Sequence, residues 1–175
     1  KSYQKELDVN PQSSTSLLNL GSLLLQKGQS AAATESLTKA SAIAPSEQCS
    51  LLLAKAYQNI GKYKEAVIEY KRVNIKQASN KLIPFNLGLC LLEVGDNENA
   101  INFFEIAIQL DKAFIAAWGN KGSALINEGR LEEALSATQK VLELEPDNPT
   151  AYKNLGGIYK ELGSLDQALA ATLKS

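Results

Sequence analysis

Four asparagines, Asn19, Asn86, Asn120 and Asn154, fall in one register of the 175-residue chain: the last three stand 34 residues apart, and the first lies about two such intervals before Asn86. An amide side chain both donates and accepts hydrogen bonds, so a row of amides suits recognition rather than bond-making chemistry. Groups that make or break bonds near neutral pH are scarce. The chain has no histidine, which removes the usual general base and the commonest metal ligand together. Carboxylates such as Glu132, Glu133, Glu143 and Glu145 fall on the exposed faces of helical patterns, with no convergent partner, nucleophile or phosphate loop. No catalytic residue, cofactor or metal ion is therefore expected. Cys49 and Cys90 are too few for a disulfide framework and lack metal-ligand spacing, so both are expected to be reduced, buried thiols.

The elements that carry these residues are those of an ordinary globular protein. With 45% hydrophobic and 21% charged residues, the chain has enough apolar side chains for a core, and disorder is excluded. Eighteen Lys and Arg oppose nineteen Asp and Glu with the signs mixed, which leaves no electrostatic footprint for nucleic acid. No run approaches the roughly 18 apolar residues of a membrane span, and no secretory signal is visible, so a cytoplasmic protein without membrane contact is expected. The absence of methionine suggests a fragment of a longer chain.

Three columns of small residues reveal a repeat. Gly28, Gly61, Gly95, Gly129 and Gly163 follow one another at intervals of 33 or 34 residues. Ala33, Ala66, Ala100, Ala134 and Ala168 each lie five residues later, and Gly21, Ala54, Gly88, Gly122 and Gly156 each lie seven residues earlier. Between the columns, apolar residues recur at three- and four-residue steps, as in Leu131, Ala134, Leu135, Thr138, Val141 and Leu142, the pattern of an amphipathic helix. Each unit is thus two helices, with the column glycine ending the first and the other small residues letting the pair approach.

This pattern resembles the tetratricopeptide repeat family, most clearly in Tyr152, Leu155, Gly156, Tyr159, Gly163 and Ala168, and then in Trp118, Gly122, Gly129, Ala134 and Pro146. The stretch from Glu145 to Pro149 leading into Tyr152 is similar to long bacterial and cyanobacterial arrays. The resemblance implies an all-α fold, a right-handed superhelix (α-solenoid) of antiparallel helix pairs in 34-residue tetratricopeptide repeats. It implies one continuous domain, with repeats at 14–46, 47–80, 81–114, 115–148 and, truncated, 149–175. Tyr3, Leu7, Val9 and Pro11 fit the second-helix tail of a preceding repeat over 1–13. Pro84 takes the large-residue position of the third repeat, in the first helical turn where its missing N–H is harmless. Lys121 replaces the usual leucine of the fourth and must snorkel. Ala78 and Lys112 stand where a repeat-ending proline is usual.

In this family the concave groove is lined mainly by the first helix of each pair. Carried over by register, the lining comprises the amides Asn19, Asn86, Asn120 and Asn154, with Leu52 standing at that place in the second repeat. It also comprises Leu51, Lys55, Phe85, Leu89, Leu92, Ser123, Ile126 and Lys153, with Leu18 and Leu25 nearby. The amide row resembles the asparagine ladder of repeat-bearing O-linked N-acetylglucosamine transferases, which engages the backbone of an extended peptide; the alternative is that these asparagines serve local helix geometry. The resemblance implies a non-catalytic scaffold that binds a peptide or protein segment. The alternative function is a spacer or self-association arm of a larger enzyme such as a transferase. A carboxylate clamp for acidic C-termini is not expected, because Lys153 is followed by Gly157 where the clamp needs asparagine.

Overall fold

The computed structural model describes residues 13–74 and 79–173. Among them the backbone forms ten α-helices and no strand: α1 (Ser14–Gln26), α2 (Ser30–Ile43), α3 (Glu47–Asn59), α4 (Tyr63–Lys71), α5 (Leu82–Glu93), α6 (Asn97–Leu110), α7 (Ile115–Asn127), α8 (Leu131–Leu144), α9 (Pro149–Glu161) and α10 (Leu165–Thr172). They fall into two compact units, Lys1–Ala78 with α1–α4 and Ser79–Ser175 with α5–α10. Tyr3, Leu7, Val9, Pro11, Ala78 and Ser175 lie outside the described residues.

Side chains fix several helix starts. The hydroxyl of Ser13 accepts from Ser16 N–H, that of Ser46 from Cys49 N–H, and the carbonyl oxygen of Asn148 from Ala151 N–H, with Pro149 just inside α9. The ends of the odd-numbered helices are equally local. At each, a glycine with φ between 70° and 82° reverses the chain. Gln29 N–H then bonds Leu24 C=O at 2.9 Å while Gly28 N–H bonds Leu25 C=O at 3.0 Å, and the same pair of bonds recurs at Gly61, Gly95, Gly129 and Gly163. This closes the orphan carbonyls of the first helix and starts the second antiparallel to it.

Packing within each pair depends on the other two columns. Ala33, Ala66, Ala100 and Ala134 are fully buried, and Gly21, Gly88 and Gly122 stand against Leu37, Phe104 and Thr138, one turn further along the second helix. A Cβ on Gly21 would lie 2.4 Å from Leu37 Cγ, so only glycine admits that leucine. Each helix also packs on the next within its unit, α2 on α3, α6 on α7 and α8 on α9, which makes each unit a short α-solenoid. Pro84 is buried in the first turn of α5. The Lys121 stem lies along Trp118, its ammonium 5.6 Å from the ring centroid, and reaches Glu105 on α6 at 3.5 Å.

Candidate functional site

The odd-numbered helices α1, α3, α5, α7 and α9 carry every residue expected in a groove. Asn19, Asn86, Asn120 and Asn154 are all half-buried, as are Leu51, Phe85, Leu89, Leu92, Ser123 and Ile126; Lys55 and Lys153 are exposed. In the first unit Leu18, Leu25 and Leu52 lean on the core formed by Leu17, Leu37 and Leu53, so part of their apolar surface is already spent on folding.

In the second unit, three of the expected residues converge. Asn120 and Ser123 on α7 and Asn154 on α9 line one cavity of about 210 Å³, whose floor includes Gly119, Thr138 and Val141. Glycine at 119 matters here, because a Cβ at this position would meet nothing within 4 Å and the space stays open. Asn120 Nδ2 donates to Ala116 C=O at 2.8 Å, one turn back on its own helix. That bond uses one of two amide donors and neither lone pair, so the local role and a recognition role are compatible. Ser123 similarly donates to Gly119 C=O at 3.2 Å. Thr138, Val141 and Thr150 were not expected at the site. Thr138 and Val141 belong to a second helix, α8, and enter because successive repeats leave a gap at Gly119.

Phe85 is less available than Asn120. Its ring centroid lies 4.7 Å from that of Phe114 and 5.8 Å from that of Phe104, and Phe85 and Phe114 join Trp118 around Ala107, Ile108 and Ala117. Lys81 closes this cluster, its ammonium 4.6 Å from the Phe114 centroid and bonded to the Asp111 carboxylate. That hydrogen bond, with a second from Ala113 N–H, holds the Asp111 carboxyl below the usual carboxylate range.

Among the described residues, no group of three or more His, Cys, Asp or Glu side chains is placed to hold a metal ion. Cys49 and Cys90 are free and buried. Burial, helped by Glu93, pushes the Cys90 thiol up to about 12. No described helix is long and apolar enough to cross a membrane.

Comparison with known proteins points in one direction. Residues 122–163 match the family described as TPR repeat, residues 85–114 that described as tetratricopeptide repeat, and residues 3–73 that described as anaphase-promoting complex, cyclosome, subunit 3. No curated protein matches the chain by sequence. Among solved structures, YrrB, described as a TPR protein with an unusual peptide-binding site, superposes with a TM-score of 0.86 at 23% identity over 99% of this chain and 90% of its own. A MamA protein gives 0.85 at 22% identity over 94% and 90%, and MamA from Desulfovibrio magneticus RS-1 gives 0.83 at 20% over 92% of each chain. At these identities the likeness is one of fold.

Proposed function

The chain belongs to the tetratricopeptide repeat family, whose members generally serve as protein-interaction scaffolds, and from that premise we propose that it binds an extended peptide or protein segment along the faces of its first helices. The observation that carries this reading is the convergence of Asn120, Ser123 and Asn154, from two successive repeats, on a single open cavity. At about 210 Å³ the cavity is smaller than the roughly 300–1,000 Å³ of ordinary small-molecule sites. Its lining offers amide and hydroxyl groups that match a peptide backbone, and a backbone bound this way is recognised with little regard to its side chains. That YrrB, with the same fold, has a peptide-binding site supports the reading. The groove proposed in the second unit uses Asn86, Leu89, Leu92, Asn120, Ser123, Ile126, Lys153 and Asn154; Asn19, Leu51 and Lys55 are its counterparts in the first. Phe85 contributes the edge left free by Phe104 and Phe114.

The test is to select binders from a library of unstructured peptides and map them on the isotope-labelled protein. Shifts centred on α7 and α9 support the reading; shifts confined to even-numbered helices refute it.

One observation favours self-association as a second reading. Leu165, Leu169 and Leu173 of the last helical segment are 71%, 63% and 80% exposed at four-residue spacing, an apolar stripe on one face. Light scattering decides: a mass that falls to the monomer in Leu169→Lys supports it, and a monomeric wild type rules it out.

A further inference from the structure

The cavity that Asn120 and Asn154 line stands where aromatic rings pack one repeat earlier. An interval of 34 residues separates Gly119 from Phe85, Thr138 from Phe104 and Asn148 from Phe114, so each ring of that trio has a counterpart on the cavity wall. Val141 and Ala151, also on the wall, correspond in the same way to Ala107 and Ala117, around which Phe85 and Phe114 pack. The helices repeat, and the three rings that close the earlier junction are replaced here by glycine, threonine and asparagine.

These replacements leave room instead of a repacked junction. A Cβ at Gly119 would meet nothing within 4 Å, whereas the ring of Phe85 at the same place in the third repeat has those of Phe114 and Phe104 at 4.7 and 5.8 Å. Asn148 does not reach in to compensate: its side-chain oxygen accepts from Ala151 N–H at 2.9 Å and its amide donates to Glu145 at 2.5 Å, which ties both ends to its own turn. Thr138 is tied likewise, its hydroxyl donating to Ala134 C=O at 2.7 Å. Glycine inside α7 costs conformational entropy, and no packing contact at its Cβ position offsets it. At about 210 Å³ the space exceeds the roughly 150 Å³ that admits a benzene molecule in a protein interior.

The wall selects the class of side chain that fits. None of its residues is charged, so an ammonium or a carboxylate entering from water would find no partner. Ile115, Ala116, Val141 and Ala151 offer apolar surface to an uncharged group. An aromatic ring covers the most such surface for the fewest rotatable bonds, and Phe85 demonstrates that this fold seats one at this place in the repeat. We propose that the guest of the groove inserts one aromatic side chain into the cavity at Gly119, where it takes the place that the ring of Phe85 takes one repeat earlier. The proposal rests on peptide binding along α7 and α9 and adds to it a single position at which the guest's side chain matters, with Asn120 and Asn154 left for its backbone.

The full chain, isotope-labelled, is titrated with the Nα-acetyl-N-methylamides of phenylalanine, leucine and alanine, which share one backbone and differ only in side chain, following backbone amide shifts. Saturable shifts around Gly119, Val141 and Ala151 are expected with the phenylalanine derivative, with at least threefold weaker binding of the leucine and at least tenfold weaker binding of the alanine compound. Gly119→Phe and Gly119→Leu, which fill the cavity from the chain itself, are each expected to weaken the phenylalanine derivative at least tenfold with unchanged helicity. No saturable shift with any compound, equal binding of all three, or binding that survives both variants overturns the proposal. A selected peptide that shifts α7 and α9 yet keeps its affinity when its aromatic residues are replaced by alanine overturns it too, while leaving backbone binding intact. Saturation by the phenylalanine derivative without any peptide binding at α7 and α9 upholds the ring site and refutes backbone binding instead.

Discussion

Gly88 and Phe104 approach so closely that a Cβ on the glycine would stand 2.7 Å from the ring, a distance at which one of the two must move. Phe104 is fully buried and pinned on its other side by Phe85, so it has no low-energy way to yield. Gly88→Ala is expected to destabilise the second unit by about 1–3 kcal/mol. Gly119→Ala is the control: it is helical and meets open space, and replacing glycine there is expected to stabilise by roughly 0.5–1 kcal/mol. Urea unfolding midpoints compare the two, and equal effects would mean that the α5–α6 contact is looser than described.

Acid should weaken the Lys81–Asp111 link in a defined direction. The Asp111 carboxyl is held below its ordinary value chiefly by the Lys81 hydrogen bond, so its contribution is fully present above the unfolded value of about 3.9 and is lost as pH falls through the lower folded value. The stability difference between the wild type and Asp111→Asn is expected to shrink from about pH 6 towards about pH 2. A difference independent of pH would leave Asp111 without a charged role.

Both thiols should be silent in the folded protein. Cys90, pushed up to about 12, holds almost no thiolate near pH 8, the Cys49 thiol is raised by burial and Glu69, and both are buried. A chromogenic disulfide reagent is expected to react with neither until urea unfolds the chain. Prompt reaction of one thiol in buffer would place that cysteine nearer the surface.

How much of this was legible in advance differs from residue to residue. The turn glycines and the Gly21, Gly88 and Gly122 column could be read because each is enforced by a local steric fact, a positive φ or a missing Cβ, that repeats with the chain. The all-helical fold followed from them. The convergence of Asn120 and Asn154 was visible as a shared register, but the bond from Asn120 to Ala116 was not, since both readings of the asparagine use the same spacing. Phe85 was expected at a groove, and its partner Phe114 comes from the connection into the next repeat, whose approach depends on packing between repeats rather than on period. Glu69 was passed over because an acidic residue in a helix ordinarily faces solvent. Its place in the repeat is a buried one, and the available signal was that the same place holds Ala137 and Ala171, both buried, in the last two repeats.

The central claim is that the amides of α7 and α9 hold a peptide backbone, and it is tested most directly by calorimetric titration of a selected unstructured peptide into the wild type and into Asn120→Ala/Asn154→Ala. With a net of roughly 0.5–1.5 kcal/mol for each amide bond, the double variant is expected to bind on the order of 5- to 150-fold more weakly, by similar factors for peptides of unrelated sequence, with helicity unchanged. Undiminished affinity in a fully helical double variant would contradict the account and return these asparagines to a purely local role.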